Sequence, residues 1–434
     1  MPFTVPPVKK VYGVLSFSGD KSVAHRAIIL SAISNGKTII RNFPHNIDCL
    51  ATLKAFQELG IKVKLRKGSV VIVGKGLYGL RKPKNCIYAY SSGTTLRLLL
   101  GVLSAQNFNS ELKADSALSK RPMLRIAYPL RLMGADIRAR KIGREEFSPL
   151  MVFGKPLRAI TYFLPIASAQ VKSGILLAGL FAKGRTCVAE KIKTRDHTER
   201  MLKYFGAKIV VKGKKIFLEG QNPLISPKII YIPGDISSAS FFIVAALLLK
   251  GSRLKIKDVS INPSRSLILK ILQRMNARIQ IKPHSLKDCE PRADITARFS
   301  KLKGIVVKDS ETPGIIDEIP VLMVAACLSK GKTLIKGVNE LRVKETDRIN
   351  SMTVNLRKMG ADIKVVCRGK KEDILINGIP SLKGAFLNSY HDHRTAMSLI
   401  IASFRAQGKT QIDEIDCIDK SFPSFLDCLF RVKR

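Results

Sequence analysis

Residues 342–348 read Arg-Val-Lys-Glu-Thr-Asp-Arg, a run with one apolar side chain among seven residues. Arg and Lys beside Glu and Asp suit a site that holds an anion and moves a proton. A solvated, charged helix face is the ordinary fate of such a run. Here it has company of the same kind. Gly19-Asp20-Lys21-Ser22, Arg121-Pro122-Met123, Ser168-Ala169-Gln170-Val171-Lys172-Ser173 and Asp392-His393-Arg394 also set cations among hydroxyls, amides and carboxylates.

These segments share a place: each precedes or opens a helical pattern. Lys21-Ser22, Ser91-Ser92-Gly93-Thr94, Ser168-Ala169-Gln170, Ser237-Ser238, Asp317-Glu318 and Asp392-His393-Arg394 stand before six apolar helices. A helix start presents free N–H groups and the positive end of the dipole, so it binds anions. Ser and Thr there also serve as plain N-caps, which is the better expectation for any one of them. Six starts that also carry Lys, Arg, Gln and Gly favour a shared anion site. A second set of helix starts adds cations at Arg121, Thr194-Arg195-Asp196-His197, Arg342, Lys344, Arg348 and Lys420. So many fixed charges call for one or two dianionic ligands.

The elements that position them repeat. One is an apolar helix that ends near Gly and leads into an alternating strand. His25–Ser34, Val171–Ala182, Ala239–Lys250, Pro320–Ser329 and Thr395–Ala406 are copies, and Thr95–Ala105 is a weaker one. Their Gly predicts a left-handed helix C-cap. The other is an amphipathic helix ending in Leu59-Gly60, Met133-Gly134, Phe205-Gly206, Met275-Asn276 or Met359-Gly360, with a truncated sixth near Pro423–Phe430. Turn-to-turn spacing is about 70 to 85 residues, one βαβ-type unit with extra strands. The apolar helices belong inside and the amphipathic ones further out.

Composition narrows the class. The chain has 434 residues, 46% hydrophobic, enough for more than one domain. Apolar runs such as Ala239–Leu249 are too short for a membrane span. The N-terminus lacks a basic segment followed by an apolar core, so secretion is not expected. Eight scattered cysteines form no CxxC pair, and neither His nor Cys spacing offers a metal site. A reduced, cytoplasmic protein without metal is expected. The formal net charge of +42 attracts polyanions. Yet the basic residues are spread along the chain, aromatics are 6%, and Trp is absent. Stacking platforms for bases are therefore few. Nucleic acid is expected as a non-specific partner at most, and a basic nucleic-acid binder without catalysis is the rival of another class.

Together these motifs, spread from residue 19 to 423, resemble the 5-enolpyruvylshikimate-3-phosphate synthase family of enolpyruvyl transferases. The specific ones are residues 342–348, Ser168–Ser173 and the Asp392-His393-Arg394 segment. The resemblance implies an α/β fold of two similar domains, each of three βαβαββ repeats, helices inside and sheets outside, an inside-out α/β barrel. It implies two chain crossings, near Gly19-Asp20 and Gly234-Asp235, giving domains of residues 20–235 and of 1–19 with 236–434. It implies transfer of enolpyruvate from phosphoenolpyruvate to the 5-hydroxyl of shikimate 3-phosphate, by addition and elimination, with no cofactor.

The same resemblance assigns residues. Lys21, Gly93, Arg121, Gln170, Arg348, Arg394 and Lys420 would hold phosphoenolpyruvate. Lys21, Ser22, Arg26, Ser168, Gln170, Thr194, Asp317 and Lys344 would hold shikimate 3-phosphate. Asp317 would take the hydroxyl proton, Glu345 would protonate the methylene carbon, and Lys21 would assist both. A monomer is expected. His25, His197 and His393 are read as orienting or core residues. Departures from the family pattern are Ser91 for Asn, Ala24 for a hydroxyl residue, Ala169 for a second hydroxyl, Thr194 for Ser, and Glu340 for Asn. The sister transferases that act on a UDP-sugar carry a Cys in the loop matching Ala114–Arg121, and this loop has none. Inhibition by glyphosate is implied as well, with Gly93 leaving space for it and Ala169 pulling towards the less sensitive branch.

Overall fold

Helix Ile236–Leu248 is apolar on every side, and all of it except Ser238 is buried. In the computed structural model of the chain, the other apolar helices share this fate. They are Lys21–Ala32, Gly93–Leu103, Ala169–Gly179, Ile319–Cys327 and His393–Ser403. A helix without a polar face has no favourable place at the surface. The structure describes residues 2–284 and 288–434, and of Lys420 the backbone alone.

Sheets cover the helices, and five of them share one strand order. In one, Thr161–Leu164 runs parallel to Arg185–Glu190, which pairs antiparallel with Lys215–Glu219, which pairs antiparallel with Ile209–Lys212. With helices Ala169–Gly179 and His197–Tyr204 between the strands, this is a βαβαββ repeat. Two repeats draw their first strand from far along the chain. Ile229–Tyr231 pairs parallel with Asn35–Arg41, and Tyr12–Ser16 with Arg253–Ser260. In the sixth repeat Phe3–Val5 takes the place of the strand beside Thr410–Ile412. The expected inside-out layering holds within each repeat. The expected barrel does not appear: among the described residues each sheet is separate and none closes on itself.

The chain forms two compact units. One holds the residues up to Phe17 and those from Pro233 on; the other holds Ser18–Ile232 with Asp288, Cys289 and Glu290. Each has its own apolar core. Among the described residues no helix is long and apolar enough to cross a membrane.

The turns that recur in sequence recur in geometry. Gly60 follows helix residue Leu59 with φ 83°, its N–H donates to Gln57 O, and Ile61 N–H donates to Phe56 O. This is the Schellman arrangement, which needs a left-handed residue. Asn276 fills the same role with φ 70°. The glycines after the apolar helices are also left-handed, but they are not helix caps. Gly184 stands four residues beyond the cap residue Leu180, at the entry to the next strand. The apolar helices end earlier than their pattern because the strand must start over the same core.

Candidate active site

In the unit holding Ser18–Ile232, three apolar helices start beside polar side chains. Asp20 caps Lys21–Ala32, accepting from Ser22 N at 2.7 Å and Val23 N at 3.1 Å. Ser92 caps the second and Ser168 the third. The capping role and the expected ligand role therefore meet on Ser168. Its oxygen accepts from Val171 N at 3.4 Å, and its hydroxyl proton stays available for a ligand.

Lys21 opens the first helix with Nζ 2.8 Å from Asp48 Oδ2. Ser91, where Asn was expected, reaches the other oxygen of Asp48 at 3.5 Å. Arg26 is buried, and its guanidinium donates to Thr198 Oγ1 at 2.6 Å, Ser173 Oγ at 2.7 Å and Ser22 O at 2.8 Å. Burial lowers its pKa to about 10, with Glu199 opposing. Arg26 thus ties Ser22 to the third helix.

Gln170 is oriented by its neighbours. Arg97 Nη1 donates to its Oε1 at 2.9 Å, and its Nε2 donates to Thr94 Oγ1 at 3.0 Å. Arg97 also lies over Gly93: a Cβ on Gly93 would stand 2.8 Å from Arg97 Nη1 and 3.3 Å from Arg121 Nη1. The expectation was that a methyl at Gly93 would point into ligand space. It would first meet two guanidinium groups. Thr194 donates its N–H, at 3.0 Å, and its hydroxyl to Glu190 Oε1.

In the other unit, Arg348 is the centre of a carboxylate cluster. It is buried, with Nε donating to Asp392 Oδ2 at 2.9 Å, Nη1 to Asp317 Oδ1 at 3.3 Å and Nη2 to Glu345 Oε2. Those acids raise its pKa against the cost of burial. Asp392 also caps helix His393–Ser403, accepting from Arg394 N and Thr395 N. Arg394 Nη1 donates to the Asp317 carbonyl at 2.9 Å. Lys344 is half-buried; burial lowers its pKa, and Asp317 and Glu340 oppose this. Asp317 and Glu345, expected as acceptor and donor of protons, are thus both held by one guanidinium. The side chain of Lys420 lies outside the described residues.

Arg342 was expected among the ligand cations, and the structure pairs it elsewhere. Its guanidinium forks onto Glu372 at 2.6 and 3.0 Å and reaches Asp347 at 2.6 Å. Asp347 in turn caps helix Arg348–Lys358. Arg342 therefore shapes the turn that carries Lys344 and Glu345. His25 and His197 are buried and bonded to neighbouring side chains. His25 Nδ1 meets Thr52 Oγ1 at 2.7 Å, and burial pushes its pKa down to about 3. His197 Nδ1 lies 2.8 Å from Glu290 Oε1, and both side chains are buried.

Sequence reasoning passed over Asp48, Arg97, Glu190 and Arg265. Arg265 is buried with Nη1 2.7 Å from Glu318 Oε1, next to Asp317. A usable signal existed for Arg97 and Lys172, each a charge inside an apolar helical run. Asp48, Glu190 and Arg265 carry no such mark, since the opposite charges they meet are 27, 18 and 53 residues away.

The family model described as EPSP synthase (3-phosphoshikimate 1-carboxyvinyltransferase) matches residues 5–429. The chain belongs to the EPSP synthase family. A 3-phosphoshikimate 1-carboxyvinyltransferase of Petrotoga mobilis is 44% identical over the whole of both chains. One of Bacillus cereus strain AH187 is 43% identical over 99% of each. An EPSP synthase structure from Acinetobacter baumannii superposes with TM-score 0.88 and 42% identity, covering 100% of this chain and 98% of the other. The enolpyruvyl transferase NikO of Streptomyces tendae shares the fold alone, at TM-score 0.75 and 16% identity, over 99% and 97% of the two chains. In this EPSP synthase family member the apolar helices start at Lys21, Gly93, Ala169 and His393, within the motifs read from the sequence.

Proposed function

We infer that the chain performs the reaction named for its family, as a 3-phosphoshikimate 1-carboxyvinyltransferase. The enolpyruvyl group of phosphoenolpyruvate passes to shikimate 3-phosphate, a step in aromatic biosynthesis. The observation that carries the chemistry is the buried Arg348 bonded to both Asp317 and Glu345. A fixed cation keeps the acceptor Asp317 ionised and aimed, whereas Glu345 must take up a proton, loosening its pair with Arg348, before it can deliver one. The cation also offers a guanidinium fork to a ligand anion.

The residue roles follow from that reading. Asp317 accepts the proton of the 5-hydroxyl and Glu345 delivers one to the methylene carbon, so that addition gives a tetrahedral intermediate. Elimination then takes a proton back from the new methyl group to Glu345 and gives the proton held by Asp317 to the departing phosphate, which leaves the enol ether. Lys21, Gly93, Arg121, Gln170, Arg348, Arg394 and Lys420 hold phosphoenolpyruvate. Lys21, Ser22, Arg26, Ser168, Gln170, Thr194, Asp317 and Lys344 hold shikimate 3-phosphate. Arg26 acts through the Ser22 carbonyl and Ser173 that it already grips. Thr194 turns its hydroxyl proton from Glu190 to the phosphate, while its N–H stays on Glu190 and keeps the loop in place. The protein works as a cytoplasmic monomer, and its charge of +42 draws nucleic acid only non-specifically.

The test is phosphate release from phosphoenolpyruvate with and without shikimate 3-phosphate. Release that depends on shikimate 3-phosphate is expected. Absence of release, together with a salt-sensitive gel shift on DNA, would favour the basic binding protein instead.

A further inference from the structure

Lys172 is the one residue of the Ser168–Ser173 motif whose charge no ligand role uses. It sits one turn into helix Ala169–Gly179 and is fully buried. Its Nζ lies 3.1 Å from Glu190 Oε2 and 2.6 Å from Glu199 Oε1, and both carboxylates are buried as well. Burying three charges costs free energy that the pairing repays only in good geometry. Such a cluster points to a role beyond stability.

Glu190 links the cluster to the site. It ends strand Arg185–Glu190, and its Oε1 accepts both the N–H and the hydroxyl of Thr194. The loop between holds Lys191, Ile192 and Lys193, and Arg195 follows. Glu199 lies in the first turn of helix His197–Tyr204, on the far side of that loop. Lys172 therefore joins three elements: the helix start that bears Ser168 and Gln170, the strand end before the loop, and the helix after it. Without its ammonium, two buried carboxylates would also face each other and any incoming phosphate.

We propose that Lys172 is a positioning residue for the phosphate of shikimate 3-phosphate. It holds Glu190, and through Glu190 it holds Thr194 and its loop, at a fixed place beside the Ser168 helix start. It also cancels carboxylate charge that would repel the phosphate. The role rests on the proposed contact between Thr194 and that phosphate. It predicts an effect confined to one substrate, which a stability role does not.

The experiment is steady-state kinetics for both substrates on Lys172→Met, Lys172→Arg and Thr194→Ala, with thermal melting of each. In Lys172→Met, KM for shikimate 3-phosphate should rise about tenfold or more, the loss of one charged hydrogen bond. KM for phosphoenolpyruvate should move less than about threefold on the same scale. Lys172→Arg should recover most of the loss. If Lys172→Met does not fold, the double variant Lys172→Gln with Glu190→Gln replaces the ion pair by an amide pair. The same selective rise is expected of it. A folded variant with both KM values unchanged, or both raised alike, overturns the proposal. Thr194→Ala separates the two readings. If it raises KM for shikimate 3-phosphate while Lys172→Met does not, only the positioning role fails. If Thr194→Ala leaves that KM unchanged, the phosphate contact assigned to Thr194 fails, and this proposal with it.

Discussion

The guanidinium of Arg348 stands 3.3 Å from the carboxylate of Asp317, and the same guanidinium donates to Glu345. The two acids proposed to move protons are thus tied to one buried cation, which Asp392 anchors from a third side. Removing either acid leaves Arg348 its other partners. Removing Arg348 leaves three acids without their common cation.

Asp317→Asn and Glu345→Gln should therefore fold and bind but turn over slowly. Each keeps the shape of the side chain and removes proton transfer, which contributes roughly 10²–10⁴-fold. Steady-state kinetics should show kcat falling by that order, with both KM values changing much less. A variant that keeps near-normal kcat would show that its acid has another role.

Arg348→Met should be costly to the fold as well as to activity. It strands Asp392, which is buried and also caps helix His393–Ser403. Breaking a buried pair in this way costs about 3–5 kcal/mol. Urea unfolding should show the loss, and Arg348→Lys should recover part of it. Full stability in Arg348→Met would mean that the carboxylates find other partners or take up protons.

At Gly93 the structure changes what substitution should do. The methyl of Gly93→Ala meets Arg97 and Arg121 at 2.8 and 3.3 Å, so the guanidinium groups must shift. Arg97 orients Gln170, and Arg121 is assigned to phosphoenolpyruvate. Both guanidinium groups are the far ends of flexible side chains, so the fold should tolerate the methyl and the effect should fall on what the displaced cations hold. Phosphoenolpyruvate KM should rise along with the glyphosate inhibition constant, because both anions use the displaced cations. Measuring both constants in wild type and variant decides it. A weaker inhibitor with an unchanged phosphoenolpyruvate KM would restore simple exclusion of glyphosate by the methyl.

His25 should make the fold sensitive to mild acid. Its imidazole is buried and held neutral down to about pH 3, whereas in the unfolded chain it titrates near 6.5. Between those values the unfolded state binds the extra proton, so stability falls as pH falls. The slope approaches about 1.4 kcal/mol per pH unit below 6.5. Unfolding curves from pH 7 to pH 5 should show this for wild type. His25→Gln, which can still bond Thr52, should lose less over the same range. Parallel slopes for the two proteins would remove His25 as the cause.

Much of this molecule was legible without coordinates, because its devices are local. A left-handed residue after Leu59 or Met275, a cap at Asp20 or Asp392, and an apolar run before an alternating strand each span a few residues. Backbone hydrogen bonding and side-chain period act at that range, so the six repeats and their polar helix starts follow from the order of residues. The tertiary structure decided which charge meets which. Arg342 turned from expected ligand cation to partner of Glu372, 30 residues on, because antiparallel pairing of Asp362–Arg368 with Lys371–Asn377 brings that strand back. Arg348 found Asp392 44 residues away, and Lys172 found Glu190 only when helix and strand packed on one core. A charge in a sequence has many possible partners, and the one it meets depends on the register of sheets and the packing of helices. That is also why Lys172 could be read as part of a motif while its partners could not.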